Sequence, residues 1–190
     1  AETCETLTEE LPTMGTLLGQ LGCDVGMIGK WHLSDDPTRH GFDLNIAGCH
    51  YGQPPSYFAP YRIPTLTEGP PEEYLPERLA DEACRFIARE RENPFFLYYS
   101  TYLVHTPIMG KDTLVEKYRQ KAAEGKATKA HFNPVYAAMI EALDQAVGKV
   151  LTTLSESGQA GNTLVVFVSD NGGIRAISRQ DPLRAGKGSY

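Results

Sequence analysis

The spacing of apolar residues along the chain predicts four helices. Apolar side chains recur every three or four residues over 13–21, 76–92 and 112–123. Asp112 is placed to cap the third of these helices. The longest pattern covers 134–157, where apolar residues mark one helix face over about six turns, and the glycines that follow it mark its end.

Three short apolar runs lie between these helices and predict strands at 25–28, 95–99 and 163–168. The third run is uninterrupted and rich in β-branched residues, which is typical of a strand covered on both faces. Strands and helices that alternate in this way predict an α/β fold with a mainly parallel sheet and helices on both faces. The proline-rich stretch 48–76 forbids regular helix or central strand, so we interpret it as a long ordered excursion over the surface.

Length and charge are those of one α/β domain spanning residues 1–190. Lys and Arg number 18 against 24 Asp and Glu, and the formal net charge of −6 argues against a surface that binds nucleic acid. No apolar run reaches the roughly 20 residues that a membrane span needs. The acidic residues 1–10 are not a signal peptide. These features exclude nucleic acid as a partner and predict no membrane span.

Charged and polar side chains follow each predicted strand. Lys30 and His32 come after the first strand, His105 after the second, and Asp170 and Asn171 after the third. Ligands of open α/β sheets bind beyond the carboxyl ends of the strands, so we expect these side chains to converge at one edge. This convergence is the main indication of an active site.

The side chains after the third strand are suited to a metal ion. Asp170 and Asn171 offer hard oxygen ligands of the kind that Ca²⁺ or Mg²⁺ prefers. An Asx turn that ends a strand also explains the same residues, and for the motif taken alone it is the favoured interpretation. Two ligands also fall short of the six to eight oxygens that Ca²⁺ takes, so this metal site is incomplete on the sequence alone.

The basic side chains are suited to an anion. Lys30 and His32 are two residues apart, so on an extended segment they point the same way and can bind an anionic group and move a proton. His105 is a candidate general acid, and the glycines beside Lys187 permit a close backbone approach. Each residue taken alone is also explained as an ordinary surface or loop side chain.

Four motifs in order resemble a known family. They are G-K-W-H-L at 29–33, V-H-T-P at 104–107, V-S-D-N-G-G at 168–173 and L-R-A-G-K-G-S-Y at 183–190. The set is similar to the type I, formylglycine-dependent sulfatases of the alkaline phosphatase superfamily. The resemblance runs over 11–190 and implies a sulfatase-like α/β fold that is incomplete at both ends.

The resemblance implies a role for each matching residue. Lys30 and His32 would contact the nucleophile and the sulfate, His105 would face the leaving-group oxygen as general acid and also contact sulfate, and Lys187 would bind sulfate oxygens. The next pair, Asp170 and Asn171, would ligate Ca²⁺, with Mg²⁺ as the alternative. A formylglycine hydrate would attack sulfur, and the sulfated hydrate would then release sulfate. A metal and two lysines would offset the charge of the transferring group.

The sequence also departs from the family pattern. The nucleophile of such enzymes comes from C-x-P-S-R or a close variant, and none of the four cysteines has an arginine four residues later. The adjacent aspartates of the family's first strand have no counterpart before residue 11. We therefore expect a central fragment of a sulfatase that has no turnover by itself. The disulfide state of Cys4, Cys23, Cys49 and Cys84 stays open.

Two other functions stay open beside sulfate-ester hydrolysis by a parent enzyme. One is a phosphatase or phosphodiesterase of the same superfamily, which would need further metal ligands. The other is a truncated, non-catalytic relative that acts as a binding module. The partner is expected to be a sulfated small molecule or a sulfated carbohydrate, for which the tyrosines of 51–74 could line a cleft or simply pack. We also expect self-association, because a missing strand leaves a sheet edge exposed, and an exported location by resemblance.

Overall fold

The computed structural model describes residues 6–125 and 132–188, in which three strands form one parallel sheet. Strand β1 is Asp24–Gly29, β2 is Leu44–Ile46 and β3 is Phe95–Ser100. The order is β2-β1-β3, with Val25 opposite Phe96. The predicted strands at 25–28 and 95–99 are therefore confirmed, and both parallel pairings require the crossover connections that the alternating pattern predicts.

Four α-helices of the described chain match the predicted periodic segments. Thr13 caps the first helix by accepting from the amide of Thr16, and Asn133 caps the last by accepting from two amides of its first turn. Short 3₁₀ turns occur at Pro37–His40 and Ala160–Asn162. The helices are α1 Met14–Gln20, α2 Leu75–Ala88, α3 Asp112–Ala123 and α4 Pro134–Glu156.

Helices lie on both faces of β1. Val25 and Met27 point to one face, where they pack with Trp31 and Phe42 beside α1. Ile28 points to the other face, into the larger core that α2 and α4 cover. The predicted α/β architecture with helices on both faces is confirmed. No helix among the described residues is both long and apolar enough to cross a membrane.

The stretch 48–76 has no helix before α2 begins and contains only an isolated bridge between Phe58 and Tyr74. It is not an excursion over the surface, because Tyr57 and Tyr61 are fully buried in the main core. The Tyr57 hydroxyl donates to the carbonyls of Tyr102 and His105, at 2.6 and 3.1 Å. The packing role of these tyrosines is confirmed, and the cleft-lining role is wrong for the buried ones.

The predicted strand at 163–168 is wrong. This segment forms no ladder with any described strand, and its side chains from Leu164 to Val168 are 54–87% exposed. A strand exists only where a neighbour satisfies its backbone N–H and C=O groups. The sequence of the run has the composition of a buried strand, but no described segment lies beside it to pair with.

Three local predictions need correction. Helix α2 ends at Ala88 rather than at 92, because the backbone becomes extended at Arg89. The Arg91 guanidinium then lies over the rings of Phe86 and Phe95. Asp112 is the first residue of α3 and not its cap, which is Lys111. The apolar positions of α1 are largely exposed, since this helix packs on Phe42 through Gly15 instead of its larger residues.

Candidate functional site

The carboxyl ends of β1 and β3 bring two predicted site segments to the same edge. Lys30 directly follows β1, and its backbone N–H donates to the carbonyl of Ser100, the last residue of β3. Gly29 has φ +109°, and a Cβ there would lie 1.9 Å from the Ser100 carbonyl oxygen. The glycine of G-K-W-H is therefore required for the close approach of the two strand ends.

A buried network holds the segment that carries Lys30 and His32. Trp31 is 7% exposed and donates its indole N–H to Ser34 Oγ at 2.8 Å. Ser34 Oγ also bonds Nε2 of His40, a buried residue to which sequence reasoning gave no role. His32 itself has a left-handed backbone, with φ 64°, and donates its N–H to Cys49 O. Strain of this kind persists only where surrounding contacts fix the residue.

His105 lies on the loop after β3, and its ring contacts a side chain at each nitrogen. Its backbone N–H donates to Tyr102 O, and its carbonyl accepts from Tyr57. The Thr106 hydroxyl lies 3.0 Å from Nδ1, and Lys187 Nζ lies 2.9 Å from Nε2. The structure thus brings together two residues that are 82 positions apart in sequence.

Two backbone contacts between glycine-rich segments place Lys187 beside His105. The Lys187 N–H donates to Gly173 O at 3.0 Å. A Cβ at Gly172 would lie 3.0 Å from the carbonyl oxygen of Ala185, so this glycine permits the close packing of the two segments. The D-N-G-G motif therefore contributes its glycines to the position of the lysine.

Asp170 and Asn171 differ in how they relate to the basic groups. Asp170 is exposed, and its negative charge partly offsets the lowering of the pKa that burial causes at Lys30 and His105. Asn171 is also exposed, and only its carbonyl is bonded in the described structure, by the hydroxyl of Ser169. The structure brings Asp170 to the basic cluster but gives the Asn171 side chain no partner among the described residues there.

Burial and mutual repulsion lower the pKa of three basic groups. Burial is the largest cause for Lys30, with a smaller contribution from the charge of Lys187. Burial also lowers the pKa of His32 and of His105, and the charges of Lys30 and Lys187 lower both further. Two ammonium groups and two imidazoles are thus held together without enough negative charge to compensate them. Such a cluster has the charge and chemistry suited to an anion, whose negative charge would remove the repulsion.

The described residues do not form a complete metal site. No three His, Cys, Asp or Glu side chains converge within residues 6–125 and 132–188. Asp170 and Asn171 have the oxygen chemistry that Ca²⁺ prefers, but they supply two of the six to eight ligands that it takes. The pair by itself therefore supplies only part of a Ca²⁺ site.

The cysteines within the described ranges are unpaired thiols. Cys49 is the one whose backbone contacts the site, through the bond from His32 N–H to its carbonyl. Burial raises the pKa of the Cys49 thiol, the opposite of what an activated nucleophile needs. Neither the sequence pattern nor the environment of this cysteine suits a nucleophile.

Sequence reasoning missed the contribution of residues 49–53. Besides the Cys49 carbonyl, Gly52 lies against the ring of His32, where a Cβ would be 2.7 Å from Cε1. The amide oxygen of Gln53 accepts from the Thr106 hydroxyl at 2.9 Å. These residues have no motif of their own, and only their contacts with the histidines identify them.

A groove of about 560 Å³ lies beside the segment that carries Lys187. Arg175, Arg179 and Arg184 line it together with Gly186, the residue before the lysine. Arg179 donates from Nε and Nη2 to a single carboxylate oxygen of Asp181, Oδ2, at 2.9 and 2.7 Å. This cationic groove adjoins the basic cluster in a chain whose overall charge is negative.

Comparisons with known proteins agree on one family. The family model described as Sulfatase matches residues 2–189. A protein of Formosa agariphila named Sulfatase is 37% identical over 138 residues, which cover 67% of this chain and 24% of the relative. The human N-acetylgalactosamine-6-sulfatase is 30% identical over 177 residues, 82% of this chain and 31% of that enzyme. The chain thus spans about a quarter to a third of these relatives.

A solved structure shows the same fold. The crystal structure of Ps i-CgsB in complex with k-i-k-neocarrahexaose superposes with a TM-score of 0.80 at 29% identity. The alignment covers 99% of this chain and 46% of that protein. The three-stranded sheet and its helices therefore correspond to about half of a larger known structure.

Proposed function

Because the chain belongs to the sulfatase family, we propose that the protein carrying it hydrolyses sulfate esters. The observation that carries this proposal is the cationic cluster at the sheet edge. Lys187 Nζ contacts His105 Nε2, and the charges of Lys187 and Lys30 both act on His32. A sulfate group is an anion of suitable charge for this cluster. The activity is assigned to the whole protein, in which we treat this chain as part of one α/β domain.

Each basic residue has a task in this proposal. Lys30 and Lys187 bind the sulfate oxygens and neutralise the charge that moves during transfer. His105 faces the oxygen that leaves and supplies its proton as general acid, and it contacts the sulfate as well. His32 contacts the attacking group in this proposal. Gly52 and the Cys49 carbonyl hold it in place.

The chain supplies only part of what a metal ion and a formylglycine would need. We assign Asp170 and Asn171 as two ligands of a Ca²⁺ or Mg²⁺ ion, whose other ligands the described residues do not supply. A formylglycine would supply the nucleophile, and no cysteine of this sequence lies in the required pattern. Both groups therefore depend on residues that other parts of the whole protein must provide.

A sulfated carbohydrate is the substrate class that the site favours. The groove with Arg175, Arg179 and Arg184 offers guanidinium groups beside the sulfate-binding lysine, and guanidinium pairs well with sulfate and carboxylate groups. Two relatives support this class, one named for N-acetylgalactosamine 6-sulfate and one solved with a carrahexaose. An exported location is proposed on family resemblance alone.

Sulfate hydrolysis is tested with the full-length protein and an aryl sulfate. We expect turnover, and we expect His105→Ala and Lys187→Met each to lower kcat/KM by about 10²–10⁴-fold. Lys149→Met is the control, since Lys149 pairs with Asp81 on the helices and lies outside the cluster. Faster turnover of an aryl phosphate, or undiminished activity of both site variants, would contradict the proposal.

The carbohydrate preference is tested by binding. Arg175→Gln and Arg184→Gln should weaken the binding of a disulfated oligosaccharide about tenfold each and leave a monosulfated aryl ester unaffected. Asp181→Asn should strengthen oligosaccharide binding, because it removes a negative charge and frees Arg179. Arg85→Gln, on the outer side of α2, is the matched control. Equal effects on both ligands would argue against an oligosaccharide groove.

A further inference from the structure

Four polar side chains form a continuous hydrogen-bonded chain through the site. Gln53 Oε1 accepts from Thr106 Oγ1 at 2.9 Å. Thr106 Oγ1 lies 3.0 Å from His105 Nδ1, and His105 Nε2 lies 2.9 Å from Lys187 Nζ. The direction of each hydrogen bond follows from the chemistry of the groups at its two ends.

The lysine end favours one of the two tautomers of the ring. An ammonium group only donates, so Lys187 Nζ donates to Nε2, which must present a lone pair. Burial and the charges of Lys187 and Lys30 lower the pKa of His105, which favours the neutral ring. A neutral imidazole with an unprotonated Nε2 carries its single proton on Nδ1.

The glutamine end provides the acceptor that this proton needs. A threonine hydroxyl has one proton, and Thr106 gives it to the amide oxygen of Gln53, which only accepts. The remaining lone pairs of Thr106 Oγ1 then face Nδ1–H. The Thr106 carbonyl, at 3.2 Å from Nδ1, is a second and longer contact. If the Gln53 amide were turned so that its NH₂ group faced Thr106, the Thr106 hydroxyl would accept from it and donate to Nδ1. The ring proton would then lie on Nε2, where it would face the Lys187 ammonium group.

We propose that Gln53 is a positioning residue that, through Thr106, holds His105 in the tautomer protonated at Nδ1. The Nε2 lone pair then faces Lys187 and the anion site, so a proton that Nε2 takes up from solvent before the reaction is placed for delivery to a departing oxygen, and the ring returns to the same neutral tautomer. Gln53 touches neither the sulfate nor the reacting atoms and acts only through the imidazole. This consequence for catalysis rests on the proposed function, whereas the tautomer does not.

The same short segment also positions the second histidine. Cys49 O accepts from His32 N–H, and Gly52 lies against the His32 ring. Residues 49–53 therefore contact both histidines, from the start of a stretch that the buried Tyr57 anchors to the core. A segment without any motif thus orients the two imidazoles of the site.

The proposal is tested by ¹⁵N NMR of the imidazole nitrogens in the 190-residue chain, above the pH at which the histidines titrate. We expect His105 to be protonated at Nδ1. Gln53→Met, similar in size but without an acceptor, should shift the tautomer ratio toward Nε2–H by about tenfold. Gln53→Glu keeps an acceptor oxygen and should preserve the ratio. Gln53 is exposed, so none of these changes should unfold the chain.

Thr106→Val removes the hydroxyl at nearly constant shape and should act like Gln53→Met, and Thr106→Ser should restore the tautomer. Gln145→Met, which removes an exposed amide that bonds Glu141 on α4, is the control and should change nothing at His105. A wild-type ring protonated at Nε2, or an unchanged ratio in both Gln53→Met and Thr106→Val, would overturn the proposal.

Activity of the full-length protein separates this proposal from the proposed function. If the protein hydrolyses sulfate esters, Gln53→Met should lower kcat about tenfold with little change in KM, and Gln53→Glu should retain activity. A correct tautomer response without any sulfate hydrolysis would leave the positioning role intact and contradict the proposed function. Activity that is insensitive to Gln53→Met despite a tautomer shift would contradict the catalytic consequence.

Discussion

At the scale of single residues, the site is defined by basic groups placed against each other. The pair of His105 and Lys187 is the clearest case, because their nitrogens are 2.9 Å apart and the lysine charge lowers the pKa of the imidazole. Family resemblance gave both residues a role, but their direct contact follows only from the structure. Two predictions test how this cluster is held together.

Lys187→Met should raise the pKa of His105. The ammonium charge beside Nε2 opposes protonation of the ring, so its removal favours the imidazolium and the midpoint moves to higher pH. The measurement is an NMR titration of the His105 ring protons. Lys149→Met should leave this midpoint unchanged, and a fall in the midpoint of Lys187→Met would show that the charge effect has the wrong sign.

Gly52→Ala should displace the ring of His32. The added Cβ would lie 2.7 Å from ring atoms Cε1 and Nε2, and the imidazole can rotate away more easily than the backbone can move. We expect altered His32 ring shifts and roughly tenfold weaker sulfate binding in an NMR titration. Gly148→Ala is the control, since nothing lies within 4 Å of a Cβ there. Unchanged His32 shifts in Gly52→Ala would refute the contact.

At the scale of elements, the loops after β1 and β3 are fixed by partners far away in sequence. Tyr57 connects the stretch 48–76 to the β3 loop through two bonds from a fully buried hydroxyl. Helix α4 covers the same core through Met139 and Ala142. The loop that carries His105 therefore depends on buried contacts and not only on its own sequence.

Tyr57→Phe should destabilise the protein by about 1–3 kcal/mol. The change removes the Tyr57 donor from the His105 carbonyl and leaves the Tyr102 carbonyl with only the His105 N–H, and an unsatisfied acceptor in this largely buried place costs more than the bond itself contributes. The free energy of unfolding in urea measures this effect. Tyr98→Phe, at a residue that is 45% exposed, should change stability by less than about 0.5 kcal/mol. Equal values for both variants would contradict the anchoring role.

Gly148→Ala should stabilise α4 by about 0.5–1 kcal/mol. Position 148 is inside the helix, an alanine loses less backbone entropy there, and the added methyl group meets open space. The same substitution at Gly26 should destabilise, because its Cβ would lie 2.7 Å from the Phe86 ring at the contact between β1 and α2. Thermal unfolding of the two variants should therefore shift in opposite directions.

At the scale of the whole molecule, apolar surface is concentrated on a segment that no described strand pairs with. Residues 164–168 form no helix or strand and are exposed, with Phe167 at 71%. Their backbone groups form no ladder in the described structure. An apolar, unpaired segment of this kind favours pairing with another chain. Since the relatives are three to four times longer than the matched part of this chain, other parts of such proteins have the length to cover it.

The 190-residue chain should self-associate through 164–168. Val166→Lys places a charge on the exposed run, opposes strand pairing between copies and should increase the monomer fraction. Sedimentation velocity over a range of concentrations measures this fraction. Leu183→Lys changes another highly exposed leucine outside the run and should leave association unchanged. A wild-type chain that stays monomeric at high concentration would refute the prediction.

Much of the fold follows from local sequence pattern. The periodicity of α2, α3 and α4 and the apolar runs of β1 and β3 depend on neighbouring residues, and all five elements lie within a few residues of the predicted positions. The pattern does not reveal strand β2, because three residues carry too little periodic signal. The run 163–168 misleads because composition reports how well a segment suits a strand and not whether a partner is present.

The sequence by itself determined the alternation of strands and helices, and with it the edge where Lys30 and His105 meet. It also carried the motifs that place the chain in its family. Only the tertiary structure decided that Lys187 contacts His105 and that Gln53 bonds Thr106. The physical reason is the sequence separation of the interacting residues, because helical and strand patterns arise between near neighbours. These side-chain contacts join residues 82 and 53 positions apart, and no local pattern encodes such partners.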